Sequence, residues 1–315
     1  MPDILTHILF SRKVAGSIPD VSIREEIDGN LPLFFLAAQG PDFLFYHTPL
    51  RPFHKKIIRI GQAMHRKDTA MFFIDAMERM KAGGMDDGER TLFLVYFLGF
   101  LTHFFMDKEM HPYVFDVTSK GIWDMGGNRH PISHYDLEFQ MDIILWERET
   151  GTHAVDMDLS EWLRVDRLPE EVCAHFIAHV QRSFGIVLDR GVLDRSVRSM
   201  LAVLGILYDP GYRKKFLRWL PTPRRFYTHP GNQGYDILNE GKNAWNHPGE
   251  PPKHQSVPEL LEQAGEECAR TIGDILSYLG GTGNKRPEEI IPDVSYDTNR
   301  PWRQGGHMPV KGAAD

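Results

Sequence analysis

Apolar residues recur at three- and four-residue spacing along most of the chain, and no series of alternating apolar and polar positions joined by hairpin turns is found. Three- and four-residue spacing lines one face of a helix, whereas a half-buried strand alternates with period two. The pattern predicts helices over Ile4–Ala15, His54–Lys81, Glu89–Lys108, His134–Glu149, Glu170–Leu188, Val192–Leu207 and Val257–Leu279. Glu89–Lys108 is apolar on most faces, as expected of a central helix. Its most apolar stretch, Thr91–Met106, is too short to span a bilayer and contains His103, so a buried core helix is expected and no transmembrane segment.

Gly and Pro mark the breaks. Gly83-Gly84 ends one helix, and Thr118–Pro131, with Gly126-Gly127, reads as a loop. Residues Pro210–Pro252 are rich in Pro, Gly, Asn and Tyr and read as an irregular excursion. The expected architecture is all-α: one multi-helix, metal-binding domain over residues 1–280, then an extended or disordered polar tail over 281–315.

Composition narrows the chemistry. The net charge is −7 and no long run of Lys and Arg occurs, so no stable nucleic-acid complex is expected. Cys173 and Cys268 are too few for a thiolate zinc site and too far apart for a disulfide framework. There are 15 histidines, so a metal site here has to be built from imidazole and carboxylate. The opening MPDILTHILFSRKVAG lacks a basic segment followed by a long apolar one, so no secretory signal is read and a cytoplasmic location is the expectation.

The strongest chemical signal is His103-Phe-Phe-Met-Asp107-Lys-Glu-Met-His111. On a helix, positions i, i+4 and i+8 share one stripe, so two imidazoles and a carboxylate project to the same side. His134-Tyr-Asp-Leu-Glu138 repeats the pairing on the next helix. Zinc takes imidazole nitrogen and carboxylate oxygen as ligands, and two facing helices can hold it between them. One His-x3-Asp is common and is usually a hydrogen-bonded pair or a solvated face. Here the stripe continues an apolar helix, where buried ionisable groups are costly unless paired or coordinated. Asp42 in Gln39-Gly-Pro-Asp42, His65 in Gly61-Gln-Ala-Met-His65, and His7 in the first helix read singly as cap, turn or core residues before they read as ligands.

The order of these pieces resembles the zinc-dependent phospholipase C family, the helical superfamily that includes the single-strand-specific S1/P1-type nucleases. Pro2-Asp-Ile-Leu-Thr-His7, Ala38-Gln-Gly-Pro-Asp42, Gly61-Gln-Ala-Met-His65, Phe97–Tyr113 around the central motif, and His134-Tyr-Asp-Leu-Glu138 carry the resemblance. It implies a cluster of up to three zinc ions. Asp42, His65, His103 and Asp107 would hold one. Asp107 would bridge to a second, which also takes His7, and His111, His134 and Glu138 would hold the third. Secreted members complete the second site with their processed first residue. This chain opens Met-Pro-Asp, leaving Asp3, the Pro2 nitrogen or water as substitutes. Ala244-Trp245-Asn-His-Pro248 also resembles a recurrent piece of the family and has no chemical role assigned.

Clustered zinc lowers the pKa of water and stabilises charge developing on a phosphoryl group. Asp42 is the expected catalytic residue, orienting or deprotonating the water. The expected function is a zinc-dependent phosphoester hydrolase, a phospholipase C-like phosphodiesterase acting on a phospholipid head group or another phosphodiester. Single-strand nuclease or phosphomonoesterase activity is the alternative on the same scaffold. A metal-stabilised helical binding protein without turnover is the non-enzymatic alternative. His175-Phe-Ile-Ala-His179 has no carboxylate in register and reads as structural or surface. His47, His54 and His130 lie near the motifs, and Phe43, Phe45 and Tyr46 read as core first and as an apolar rim second.

Overall fold

The computed structural model describes residues 4–47, 54–119, 123–125, 128–130, 133–211, 213, 236–247 and 249–302. The described residues are all-α apart from one short antiparallel hairpin, Trp123–Met125 paired with Asn128–His130. That hairpin lies within the expected loop Thr118–Pro131.

Helix α6, Asp87–Ser119, runs through the centre. Helices α1 (Ile4–Ser17), α3 (Leu31–Ala37), α7 (His134–Thr150), α9 (Glu170–Phe184) and α11 (Val257–Leu279) pack around it. By length and composition α6 could cross a membrane, but 83% of its apolar window is buried inside the protein. Gly99 lets α3 approach closely, since a Cβ there would sit 2.5 Å from the carbonyl oxygen of Phe34. A ring-packed core of Phe72, Phe73, Phe100, Phe104 and Phe176 fills the space between α6, α9 and α5 (Thr69–Ala82).

Three expectations need correction. First, α6 does not stop at Lys108. It continues through Pro112, which removes one backbone donor from the helix. Burial of Pro112, Tyr113 and Val114 in the core offsets that loss. Second, His54–Lys81 is two helices, α4 (His54–Met64) and α5, separated at residues 65–68 with Asp68 in a left-handed conformation. The cap that starts α5 comes from far along the chain: Asp293 accepts from Ala70 N, while the Thr69 hydroxyl donates to the Val294 carbonyl. Helix α2 (Val21–Gly29), capped by the Asp20 carboxylate, α3 and the short α8 (Leu159–Trp162) were also not expected.

Third, residues 281–302 do not trail from the body. They carry the short helix α12 (Pro287–Ile290), bury Ile290, Ile291 and Tyr296, and lie against the α4–α5 break. Residues 303–315 of the expected tail are outside the described residues. Of the irregular excursion, the described part turns through left-handed Asn239 and Lys242 and buries Trp245 against Tyr113. The remaining helices match the periodicity to within a few residues: α1, α7, α9, α10 (Arg190–Leu207) and α11.

Candidate metal centre

Five segments meet at one end of α6. His103, Asp107 and His111 form the expected stripe on that helix, and His134 and Glu138 face it from α7. Ser133 and Asp136 form a capping box that sets the first turn of α7, so His134 starts the helix at the cluster. His7 lies one turn into α1. The start of α1 is held by Asp142, which accepts from Leu5 N at 3.0 Å, Thr6 N at 2.9 Å and the Thr6 hydroxyl at 2.7 Å. Asp142 continues the α7 stripe four residues after Glu138, so one helix face both supplies site residues and anchors α1.

Asp42 sits in the 3-10 turn Gly40–Tyr46, which opens on Gly40 in a left-handed conformation. A Cβ at Gly40 would lie 2.0 Å from Cδ2 of His103, so the backbone passes directly against that imidazole. His65 comes just past the end of α4, in the break that the periodicity did not reveal.

The groups converge on Asp107. Its carboxylate lies 3.4 Å from His7 Nε2, 3.7 Å from His65 Nε2, 3.1 Å from His103 Nε2 and 3.8 Å from His111 Nδ1. Asp42 Oδ1 is 3.0 Å from His65 Nε2. Glu138 Oε1 is 2.7 Å from His134 Nε2 and 3.5 Å from His111 Nε2. Three sets of ligand atoms each fall within 4.8 Å of one another: His7, His103 and Asp107; Asp42, His65 and His103; and His111, His134 and Glu138. A cavity of about 150 Å³ opens over them, lined also by Phe45, Gln62, Arg66, Phe115, Tyr135 and Asp297.

Electrostatically the site is short of positive charge. Burial pushes the His111 imidazole down, but Asp107, Glu138 and Asp297 outweigh it and hold the pKa at about 10. Burial works against ionisation of Glu138 too, yet His134 and His111 bring it to about 2. Burial lowers His103, and the Asp107 carboxylate only partly opposes it. Unshared carboxylate charge of this kind in a buried site is satisfied by protons or by a metal cation.

The family model for zinc-dependent phospholipase C matches residues 6–183, more than half of the chain. The chain belongs to the zinc-dependent phospholipase C family. No curated protein and no solved structure matches it. Membership supports a phospholipase C-like hydrolase, and all eight residues of the expected cluster fall within the matched stretch.

The residues fit the zinc that the family name implies. Both ring nitrogens of buried His103, and Oδ1 of Asp42, lack an aligned hydrogen bond among the described residues, although Asp107 lies 3.1 Å from His103 Nε2 and His65 Nε2 lies 3.0 Å from Asp42 Oδ1. Buried polar atoms left without an aligned partner are costly unless a cation or water completes them. The imidazole and carboxylate donor set is also one that zinc accepts. Pro2 and Asp3, the expected substitutes at the second metal, lie outside the described residues.

Other expected residues sort clearly. Phe45 stacks on His65 and lines the cavity, so it belongs to the rim. Phe43 is fully buried against Phe176 and belongs to the core, and Tyr46 packs against that core. His47 is buried with Nδ1 3.0 Å from the Ser196 hydroxyl. The side chains of His54 and His130 are outside the described residues. His175 donates from Nε2 to the Phe72 carbonyl and, with His179, packs among Phe72, Phe93 and Phe184. Sequence reasoning missed Arg66 and Asp297, which form an ion pair at the cavity (Nε–Oδ2 2.6 Å). An isolated Asp in a polar, Pro-containing stretch gave no periodic signal that could have found Asp297.

Proposed function

We propose that the chain hydrolyses a phosphodiester, with the head-group ester of a phospholipid as substrate, at a cluster of up to three zinc ions. One observation carries this reading: three ligand sets converge around a single open cavity, with Asp107 between them. Asp42, His65, His103 and Asp107 would hold one zinc, His7 and Asp107 a second, and His111, His134 and Glu138 a third. When bound, zinc supplies a Lewis acid that acidifies water and neutralises phosphoryl charge.

The chain's own groups do the rest. Asp42 borders the cavity with a partly exposed carboxylate and is the group to orient the attacking water and take its proton. Phe45, Phe115 and Tyr135 give the cavity an apolar wall against which a lipid-derived substrate packs while its phosphate faces the histidines. Arg66 is the one Lys or Arg among the described lining residues, and Asp297 already pairs with it. A single-stranded polynucleotide needs a longer cationic track with stacking platforms, so a small head group is favoured over a nucleic acid.

The test is turnover of the zinc-loaded protein on phosphatidylcholine vesicles, a short single-stranded oligonucleotide and a simple phosphomonoester. Head-group release that stops on chelation is expected. Asp42→Asn should lower it about a hundredfold or more, within the range for removing a positioned base, while leaving most of the metal bound. Preference for the oligonucleotide would replace the phospholipase reading with a nuclease one. No turnover on any substrate with the cluster fully occupied would leave a metal-stabilised binding protein.

A further inference from the structure

The site includes a layer from well outside the stretch that matches the family. Residues 295–299 run across the α4–α5 break and the cluster end of α6. The Tyr296 amide donates to the His65 carbonyl at 2.8 Å, and the Ser295 hydroxyl donates to the same oxygen at 3.2 Å. The Tyr296 carbonyl accepts from His111 Nδ1 at 3.2 Å. The Tyr296 ring packs against His65, His103 and Phe104, with ring centres 5.1, 5.7 and 5.0 Å apart. Asp297 places its carboxylate in the cavity 4.0 Å from His111 Nδ1.

The segment is fastened at several independent points. The Asn299 amide donates to Glu109 Oε1 at 2.7 Å, in a buried network where Lys108 also pairs with Glu109 and Glu267. His247 Nε2 donates to the Thr298 carbonyl at 2.6 Å. The Asp297 amide donates back to the Ser295 hydroxyl at 3.1 Å, closing a tight turn.

A histidine ligand offers metal only the nitrogen that carries no proton, and the partner of the other nitrogen decides which that is. The Tyr296 carbonyl fixes the proton of His111 on Nδ1 and leaves Nε2 facing His134 and Glu138. The Gly61 carbonyl does the same for His65, at 2.8 Å from Nδ1. Pinning the His65 carbonyl then holds that residue in place where no helix supports it.

We propose that Ser295–Asn299 is a positioning strap that orients His65 and His111 for metal, so that in this chain the family-matched stretch does not hold its zinc unaided. The proposal rests on the metal reading above and is tested separately from activity. Zinc release to a chelator is followed in the full-length wild type, Ser295→Ala, Ser295→Thr and Asp297→Ala, alongside melting of the loaded and metal-depleted forms. Loss of an outer partner of a metal ligand costs about tenfold or more in affinity. Ser295→Ala removes one of two donors to the His65 carbonyl and Asp297→Ala a carboxylate beside His111, so both should release zinc faster, by up to about tenfold, and Ser295→Thr, which keeps the hydroxyl, should restore retention. The melting gap between loaded and depleted protein should narrow in the two alanine variants. Release at the wild-type rate in both, with any melting loss equal in loaded and depleted protein, would reduce the strap to scaffold and overturn the proposal. Wild-type protein that takes up no zinc would overturn the metal reading itself, and the strap with it.

Discussion

Gly40 shows how tightly a single position constrains the site. It needs a left-handed backbone, which glycine adopts freely, and the space a side chain would occupy is filled by the His103 ring. Gly40→Ala therefore meets both conformational strain and a clash with a buried imidazole. It should lower stability by about 2 kcal/mol or more and cut bound zinc, a combination that strain alone does not give. Wild-type zinc content in Gly40→Ala would show that the ring can move aside without losing the metal. Neighbouring Asp42 read as a turn residue by itself and as a site residue only through the family resemblance. Gly40 was visible only as part of the same turn motif, because its reason lies in a ring more than sixty residues away.

Among the elements, the locally determined ones were the easiest to read. The extent of α11 follows from signals within itself: Ser256 and Glu259 form a capping box, Pro258 sits in the first turn, and Gly280 follows the end. The stripes on α6 and α7 follow from helical geometry alone. What could not be read was fixed at long range. The α4–α5 break is capped by Asp293, and α1 is held at its start by Asp142. Each such bond joins residues more than a hundred positions apart, so no local window contains the cause. Asp142 lends itself to a direct test. Its carboxylate is fully buried and satisfied by two backbone amides and a hydroxyl at a helix N-terminus, where negative charge is favoured. Asp142→Asn keeps the shape but loses the charge and, with its oxygen on Thr6, sets its NH2 against the Leu5 N–H. A loss of about 2–3 kcal/mol is expected from denaturant unfolding, together with weaker zinc binding through His7. An unchanged unfolding midpoint would mean that α1 is held by its apolar face alone.

The whole molecule should carry a pH signature separable from the metal. Burial drives His175 down to about 3 and His179 to about 4, so both are neutral in the folded protein across the physiological range. The unfolded chain takes up protons near pH 6.5, so it binds more protons than the folded one below that point. Stability from this pair is therefore complete above about pH 6.5 and is lost as pH falls toward 4 and then 3. By pH 5 each histidine accounts for up to about 2 kcal/mol of that loss. Unfolding of metal-depleted protein between pH 7 and 5 should show the slope, and His175→Gln should flatten it. An unchanged slope in that variant would place the sensitivity elsewhere. The general architecture was legible because helical periodicity repeats along the chain. The packing of residues 281–302 was not, since their few apolar residues only gain meaning against surfaces formed much earlier in the sequence.

The Tyr296–His65 bond also bears on the order in which the molecule assembles. It spans 231 residues, and closing a loop of that size is slow compared with winding α6 or docking α7 beside it. Helices bearing most of the imidazoles therefore come together while the stretch that orients two of them is still unattached. Until that bond closes, the donors on α1, α6 and α7 have nothing from residues 295–299 to orient His65 and His111. If the centre takes zinc, tight capture is expected only once that stretch has docked, and adding metal before or after refolding would separate the two orders.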